Sequence, residues 1–259
     1  MASVTISRAV IDNYAEGVRS VSQQAGAGLA DTLAAIDLTD REMVEDLVVA
    51  ACRAASQAGS DYATAFYRGL SILQTGEDVD FDAMSSFDQQ ATLVAIRGIY
   101  KQATGEDGEL DYARVERELN RRIQFEVNRA SKVGVWQRGQ QDRRDVRYAR
   151  VPAGAETCAW CLMTAGLGYW YMTEEAASHT HAACDCVITC SIGRGDVAID
   201  GYDSTVYRDM WREANEALRY GDVPTELAQR VDLLSATKPG YRADTNGALA
   251  VMRWKYSLK

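Results

Sequence analysis

Proline is absent from the first 151 residues of this chain, and the three prolines are Pro152, Pro224 and Pro239. An interior proline costs a helix about 3 kcal/mol, so a long proline-free stretch is what long helices require. The apolar residues of this stretch recur mostly three or four positions apart, which is the spacing of one helix face. The first 140 or so residues therefore predict a bundle or hairpin array of long helices.

Local signals place the ends of these helices. Thr39 with Glu42 and Ser86 with Gln89 have the spacing of a capping box, in which the two side chains bond each other's backbone N–H groups. The glycines at 26 and 28 are expected to break or bend the first helix. The predicted helices cover 3–36, 40–73 and 86–104, and a basic helix runs from 112 to about 138 or further.

The pattern changes near Arg147, where strand and turn signals replace the helical spacing. Aromatic and β-branched residues favour short strands, and Thr173 is placed to cap a short helix between two of them. Arg194-Gly195-Asp196 is predicted to be a turn. The predicted elements are strands at 148–151, 168–171 and 186–190, helices at 204–220 and from 225 to about 234, and a tail at 238–259 that is rich in apolar and aromatic residues.

Five of the six cysteines and both histidines lie between Cys158 and Cys190. Their skeleton is Cys-x-x-Cys, a gap of 19 residues, and His-x-x-Cys-x-Cys. Two such knuckles can aim sulfur and imidazole nitrogen at one tetrahedral zinc ion. The expected ligands are Cys158 and Cys161, with two more drawn from His181, Cys184 and Cys186, and with His179 and Cys190 in reserve. Because the donors are abundant, a closed structural site is expected rather than an open catalytic one.

Three other interpretations of these cysteines fit the chain less well. A disulfide framework belongs to small secreted domains, and this chain is much larger. A redox Cys-x-x-Cys pair would need a surrounding strand-then-helix unit of thioredoxin type, and buried free cysteines would need no ligand at all. The chain also lacks a phosphate-binding glycine loop and the order of residues found in zinc deaminases. We therefore expect a protein that is not an enzyme.

The predicted fold class is mainly α. It consists of an N-terminal long-helix bundle, a small zinc-stapled α+β module whose thin core the metal would supplement, and a helical C-terminal tail. The predicted domains are 1–140, 141–200 and 201–259.

Charge is distributed unevenly along the chain. The 259 residues carry a net charge of −9, which argues against a nucleic-acid binder by bulk charge. Residues 112–150, however, contain 11 Arg and Lys against 5 Asp and Glu. This basic segment predicts either a solvated helix face laced with ion pairs or a docking surface for DNA or an acidic partner. The candidate docking residues are Arg121, Arg122, Arg129, Lys132, Arg143, Arg144 and Arg147.

The start of the chain carries no leader pattern, because Asp12, Glu16 and Arg19 interrupt it. The longest apolar runs are far too short to span a bilayer, so no membrane partner is expected. We expect an intracellular protein with reduced cysteines.

The order of these parts resembles the tailed-phage minor head proteins named after the F protein of phage Mu, in the variant carried by phages of actinobacteria. The likeness covers roughly residues 115–190: a last helix at 127–134, a first knuckle at 157–161 and a second knuckle at 181–186. Ala182 departs from the family pattern, which usually has proline there. The resemblance implies a virion protein that assembles with the portal or the major capsid protein at the inner face of the head, with DNA contact as a further expectation.

The function expected from the sequence is thus a phage minor capsid protein, made in the host cytoplasm and built into the head as part of a multi-subunit assembly. The alternative is a zinc-ribbon regulator that binds nucleic acid. A DNA binder should lose affinity steeply as salt rises, whereas a head protein should co-assemble with portal or coat protein.

Overall fold

A computed structural model of the protein describes residues 4–82, 85–154, 157–193, 197–238, 240 and 242–258. It confirms the mainly α fold class. In chain order the elements are β1 (Val4–Ile6), α1 (Arg8–Leu33), α2 (Arg41–Thr75), α3 (Gln89–Ala103), α4 (Tyr112–Gln141), β2 (Val146–Val151), α5 (Ala159–Ala165), α6 (Glu174–Ser178), β3 (Val187–Ile192), β4 (Val197–Ile199), α7 (Ser204–Tyr220), α8 (Thr225–Thr237) and α9 (Ala243–Lys255). The predicted turn at 194–196 and the predicted tail residue Tyr241 lie outside the described residues.

Helices α2 and α4 form the most extensive helix pair, and α1 and α3 pack on this pair. The two helices approach closely where glycines face the partner. A Cβ atom added to Gly134 would lie 2.6 Å from Cβ of Ala63, and one added to Gly59 would lie 2.8 Å from the carbonyl oxygen of Val127. Glycine at both positions therefore lets the helix backbones come closer than any larger residue would allow.

The N-cap residues of α2 and α3 lie one and two residues beyond the predicted ones. Asp40, rather than Thr39, caps α2 by accepting a hydrogen bond from the Met43 amide at 3.2 Å, and Asp88, rather than Ser86, caps α3. An aspartate carboxylate is as good an N-cap as a hydroxyl, so two adjacent candidates compete and geometry decides. The expected break in α1 is also absent: the helix runs through both glycines, and Gly26 gives room to the side chain of Asn120 on α4.

The described strands form two small pairs. β2 and β3 are antiparallel, with Tyr148 opposite Cys190 and Val151 opposite Val187. β1 and β4 are parallel, so residues 4–6 belong to a strand and not to the first helix as predicted. The predicted strand at 168–171 contributes a single bridge, between Trp170 and Tyr148.

The largest hydrophobic cluster is continuous from the helical bundle into β2 and β3. A second cluster joins α5 to α7 and α9, so the C-terminal tail packs on its own chain. The division into domains at 140 and 200 stays a prediction. What matters for the site is that the β2–β3 strand pair contacts both α4 and α5.

Candidate metal centre

Three cysteine sulfurs converge at one end of the antiparallel β2–β3 strand pair. The Sγ atoms of Cys161 and Cys184 are 3.8 Å apart, those of Cys161 and Cys186 are 3.3 Å apart, and those of Cys184 and Cys186 are 3.1 Å apart. All three side chains are buried. Within the described residues, these three form the group of close side chains able to hold a metal ion.

The pairing of β2 with β3 explains why cysteines so far apart in sequence meet. β2 ends at Val151 and β3 begins at its partner Val187, so the first knuckle leaves the sheet where the second one enters it. Cys158 is the N-cap residue of α5 and Cys161 lies in its first turn. Cys184 and Cys186 precede β3 instead of lying on a strand, so strand alternation is not what aims them inward.

The donor set and its spacing fit a tetrahedral zinc ion. With zinc–sulfur bonds of about 2.3 Å, ligand sulfurs lie about 3.8 Å apart. The Cys161–Cys184 separation of 3.8 Å matches this value, and the other two pairs, at 3.3 and 3.1 Å, would open by about 0.5 and 0.7 Å to reach it. Three soft sulfur donors in a buried site are typical of zinc.

The other two predicted ligands adjoin this group. Cys158 packs against the three cysteines, and its thiol hydrogen-bonds with Cys161 and with the imidazole of His181. Those bonds lower the pKa of Cys158 to about 4. Hydrogen bonds from Cys161 and Cys186 likewise hold the pKa of Cys184 far below its usual value. Hydrogen bonds with Cys158, Cys184 and Cys186 raise the pKa of Cys161, and burial raises the pKa of Cys186. Cys158 and Cys184 therefore favour the thiolate, the form that binds metal.

Arg150 is a member of the site that the metal-ligand pattern did not reveal. Its side chain is fully buried near the end of β2, and one guanidinium nitrogen donates to Sγ of Cys186 at 2.8 Å. The other terminal nitrogen donates to the carbonyl oxygen of Ala176 at 2.7 Å. The guanidinium also lies 4.8 Å from the ring centroid of Trp160. A signal was available, because an arginine between the apolar residues Ala149 and Val151 of a strand next to a knuckle needs an anionic partner if it is buried.

The two reserve ligands lie elsewhere. The ring of His179 stacks on Trp160 with centroids 3.6 Å apart, and burial, helped by Arg150, lowers its pKa. Cys190 lies in the core cluster shared by the β2–β3 strand pair and the helical bundle, where burial raises the pKa of its thiol. Neither belongs to the group of converging sulfurs.

Helix α4 holds the second knuckle in place. The side-chain amide of Asn128 donates to the carbonyl oxygen of Ala182 at 2.7 Å. The ammonium group of Lys132 bonds Oγ1 of Thr180 at 3.2 Å and the carbonyl oxygen of Asn128 at 3.3 Å. A cavity of about 360 Å³ between α1, α4 and this knuckle is lined by Lys132, Cys184 and Cys186 among others. Beside the second knuckle, the polar face of α4 thus points largely into the protein and not into solvent.

The predicted docking residues do not form one surface. Lys132 is 2% exposed, and Arg122 pairs with the buried Glu126. Arg129 donates to the carbonyl oxygen of Ser86, and Arg144 bonds Asp142, Ser71 and Thr75. Arg147 is half-buried, and Arg121 and Arg143 are exposed. Much of the basic segment is therefore engaged inside the protein.

The ion pair of Arg144 and Asp142 predicts an acid-sensitive step in stability. Burial opposes ionisation of Asp142, but hydrogen bonds from Arg144 and from Tyr67, at 2.8 Å, outweigh it and lower the pKa of Asp142 below 3.8. The carboxylate therefore stabilises the fold above about pH 4, and this contribution is lost as the pH falls through the lowered pKa. Urea unfolding at pH 7 and pH 3 should show Asp142→Asn much less stable than the wild type at pH 7 and closer to it at pH 3. Asp209→Asn, at an exposed ion pair, should differ little at either pH.

No helix in the described part of the chain is both long enough and apolar enough to cross a bilayer. A family model described as VG15 protein matches residues 5–214, a span that contains the whole metal centre. No curated protein and no solved structure matches the chain.

Proposed function

Because the chain belongs to the VG15 protein family, a family of viral and phage proteins, we propose that it is a minor capsid protein of a tailed phage. In this proposal it assembles with the portal or the major capsid protein at the inner surface of the head. Its place is the virion head, after synthesis in the host cytoplasm.

The convergence of Cys161, Cys184 and Cys186 is the observation that carries the proposal. The resemblance to the Mu F-like head proteins rests on two knuckles in a fixed order after a helix and a strand. That order would be an accident of sequence if the knuckles lay apart, but their sulfurs lie within 3.8 Å of one another. The finer Mu F-like assignment is part of the proposal.

The metal centre has a structural role in this proposal. Sulfur ligands from both knuckles would tie the start of α5 to the start of β3, and zinc bound this way contributes directly to folding free energy. Four protein donors would close the site to substrate, so the proposal assigns no catalysis to it.

The regulator that binds nucleic acid receives less support. A DNA-binding face needs cations that are free to meet phosphates, and Lys132 and Arg144 are committed to contacts within the chain. Contact of the exposed Arg121 and Arg143 with packaged DNA remains part of the capsid proposal.

Co-assembly tests the proposed role. The chain would be co-expressed with the portal and major capsid proteins of the phage that encodes it, and the assembled heads would be sedimented and analysed by mass spectrometry. We expect the chain to sediment with the heads at a fixed ratio to the portal. Heads that assemble without it, together with a free chain whose DNA affinity falls steeply with salt, would favour the regulator instead.

A further inference from the structure

Two buried cations flank the cysteine group. Arg150 is fully buried and donates to Cys186 at 2.8 Å, with a second, longer contact of 3.9 Å to Cys161. Lys132 is 2% exposed and approaches from α4 on the side of the cavity that Cys184 lines. Cys186 lines the same cavity.

Neither cation has a carboxylate partner within ion-pair distance among the described residues. Asp185, an acidic residue of the second knuckle, accepts a hydrogen bond from Thr157. Burying an unpaired positive charge is costly, so each cation needs an anion nearby. The groups that the structure places there and that become anions when they bind metal are cysteine thiols.

Charge balance distinguishes the possible ligand sets. Zinc with four thiolates carries two net negative charges, which Arg150 and Lys132 together neutralise. Zinc with three thiolates and a neutral imidazole carries one net negative charge, so the same two cations would leave one buried positive charge without a partner. His181 is also exposed, and it hydrogen-bonds with Cys158.

We propose that Arg150 and Lys132 are the counter-cations of a four-thiolate centre made by Cys158, Cys161, Cys184 and Cys186, with His181 bonded to Cys158 and not to the metal. This inference rests on the metal centre of the proposed function. Arg150 and Lys132 are positioning residues here: they act on the ligands and do not touch the metal.

The first test concerns the ligand set and uses cobalt(II), whose absorption bands report the number of sulfur ligands. The full-length wild type and His181→Ala should give the same four-sulfur spectrum at one cobalt per chain, and Cys158→Ser should change it. A spectrum that changes in His181→Ala and not in Cys158→Ser would overturn the ligand set.

The second test concerns the cations and measures zinc affinity by competition with a chelator. Lys132→Met and Arg150→Met should each bind zinc about tenfold more weakly than the wild type, while Lys132→Arg and Arg150→Lys should recover most of the loss. Arg121→Met removes the same charge from an exposed site and should leave affinity unchanged.

If Arg150→Met does not fold, Lys132→Met decides the question, because the side chain of Lys132 bonds, among the described residues, only Thr180 and a carbonyl of its own helix. Equal zinc affinity in Lys132→Met and Arg121→Met would overturn the role of the counter-cations and leave the metal centre and the head assignment unaffected. A wild-type chain that binds no metal would overturn the metal centre and this inference with it, while the head assignment would still be decided by co-assembly.

Discussion

Replacing Cys186 with serine is expected to reduce the zinc content from one ion per chain to a small fraction of that. The substitution should also destabilise the β2–β3 strand pair and both knuckles. Cys186 lies within 3.3 Å of two other sulfurs and accepts the hydrogen bond of Arg150. The substitution thus removes a ligand and leaves a buried guanidinium without its anion. Breaking a buried charge pair costs about 3–5 kcal/mol, apart from the loss of metal binding energy.

Metal analysis and thermal melts in the presence and absence of chelator would measure both effects. Cys52→Ala is the matched control, because Cys52 is a buried cysteine of the helical bundle, away from the sulfur group. It should keep its full zinc content and show the same response to chelator as the wild type. Full zinc content in Cys186→Ser would refute the assignment of this residue as a ligand.

The same small substitution should have opposite effects at two glycines of the α2–α4 pair. Gly134→Ala would place a methyl group 2.6 Å from Cβ of Ala63, so the helices must separate, and overpacking of this kind costs about 1–3 kcal/mol. Gly69→Ala meets nothing within 4 Å inside α2 and should stabilise the protein by about 0.5–1 kcal/mol, because alanine loses less backbone entropy than glycine.

Urea unfolding of both variants, followed by circular dichroism, gives the two free energies. The opposite signs are the informative result, since a general effect of alanine on helix propensity would stabilise both proteins. A Gly134→Ala variant as stable as Gly69→Ala would mean that α2 and α4 do not pack closely at this point.

Much of the helical architecture could be predicted from local sequence. A proline-free stretch with apolar residues every three or four positions is sufficient to indicate long helices, and α4 and α7 lie close to their expected bounds. Helix starts were less certain, because Thr39 and Asp40 are both good capping residues and the choice depends on the backbone around them.

What sequence could not predict depends on contacts between distant segments. Residues 4–6 form a strand because 197–199 pair with them, and no local pattern in three residues shows this. Gly26 does not interrupt α1, because it makes room for Asn120, a residue of another helix.

In the candidate metal centre, too, local motifs could be predicted and contacts between distant segments could not. Motif spacing alone identified the cysteines, since metal ligands must come in closely spaced pairs. Arg150 and Lys132 were counted only as part of a basic segment, because their burial beside the sulfurs depends on how β2 and α4 pack around the knuckles.

The parallel pairing of β1 with β4 has a consequence for synthesis on the ribosome. β1 is translated before α1 to α4, but its partner Val197–Ile199 is translated after both knuckles. At about 5–20 residues per second, β1 waits roughly 10–40 s for its partner, while the segments that form α1 to α4 have already emerged. Closure of this strand pair is therefore a late event, and it occurs only in chains that have been translated past the whole metal-binding region.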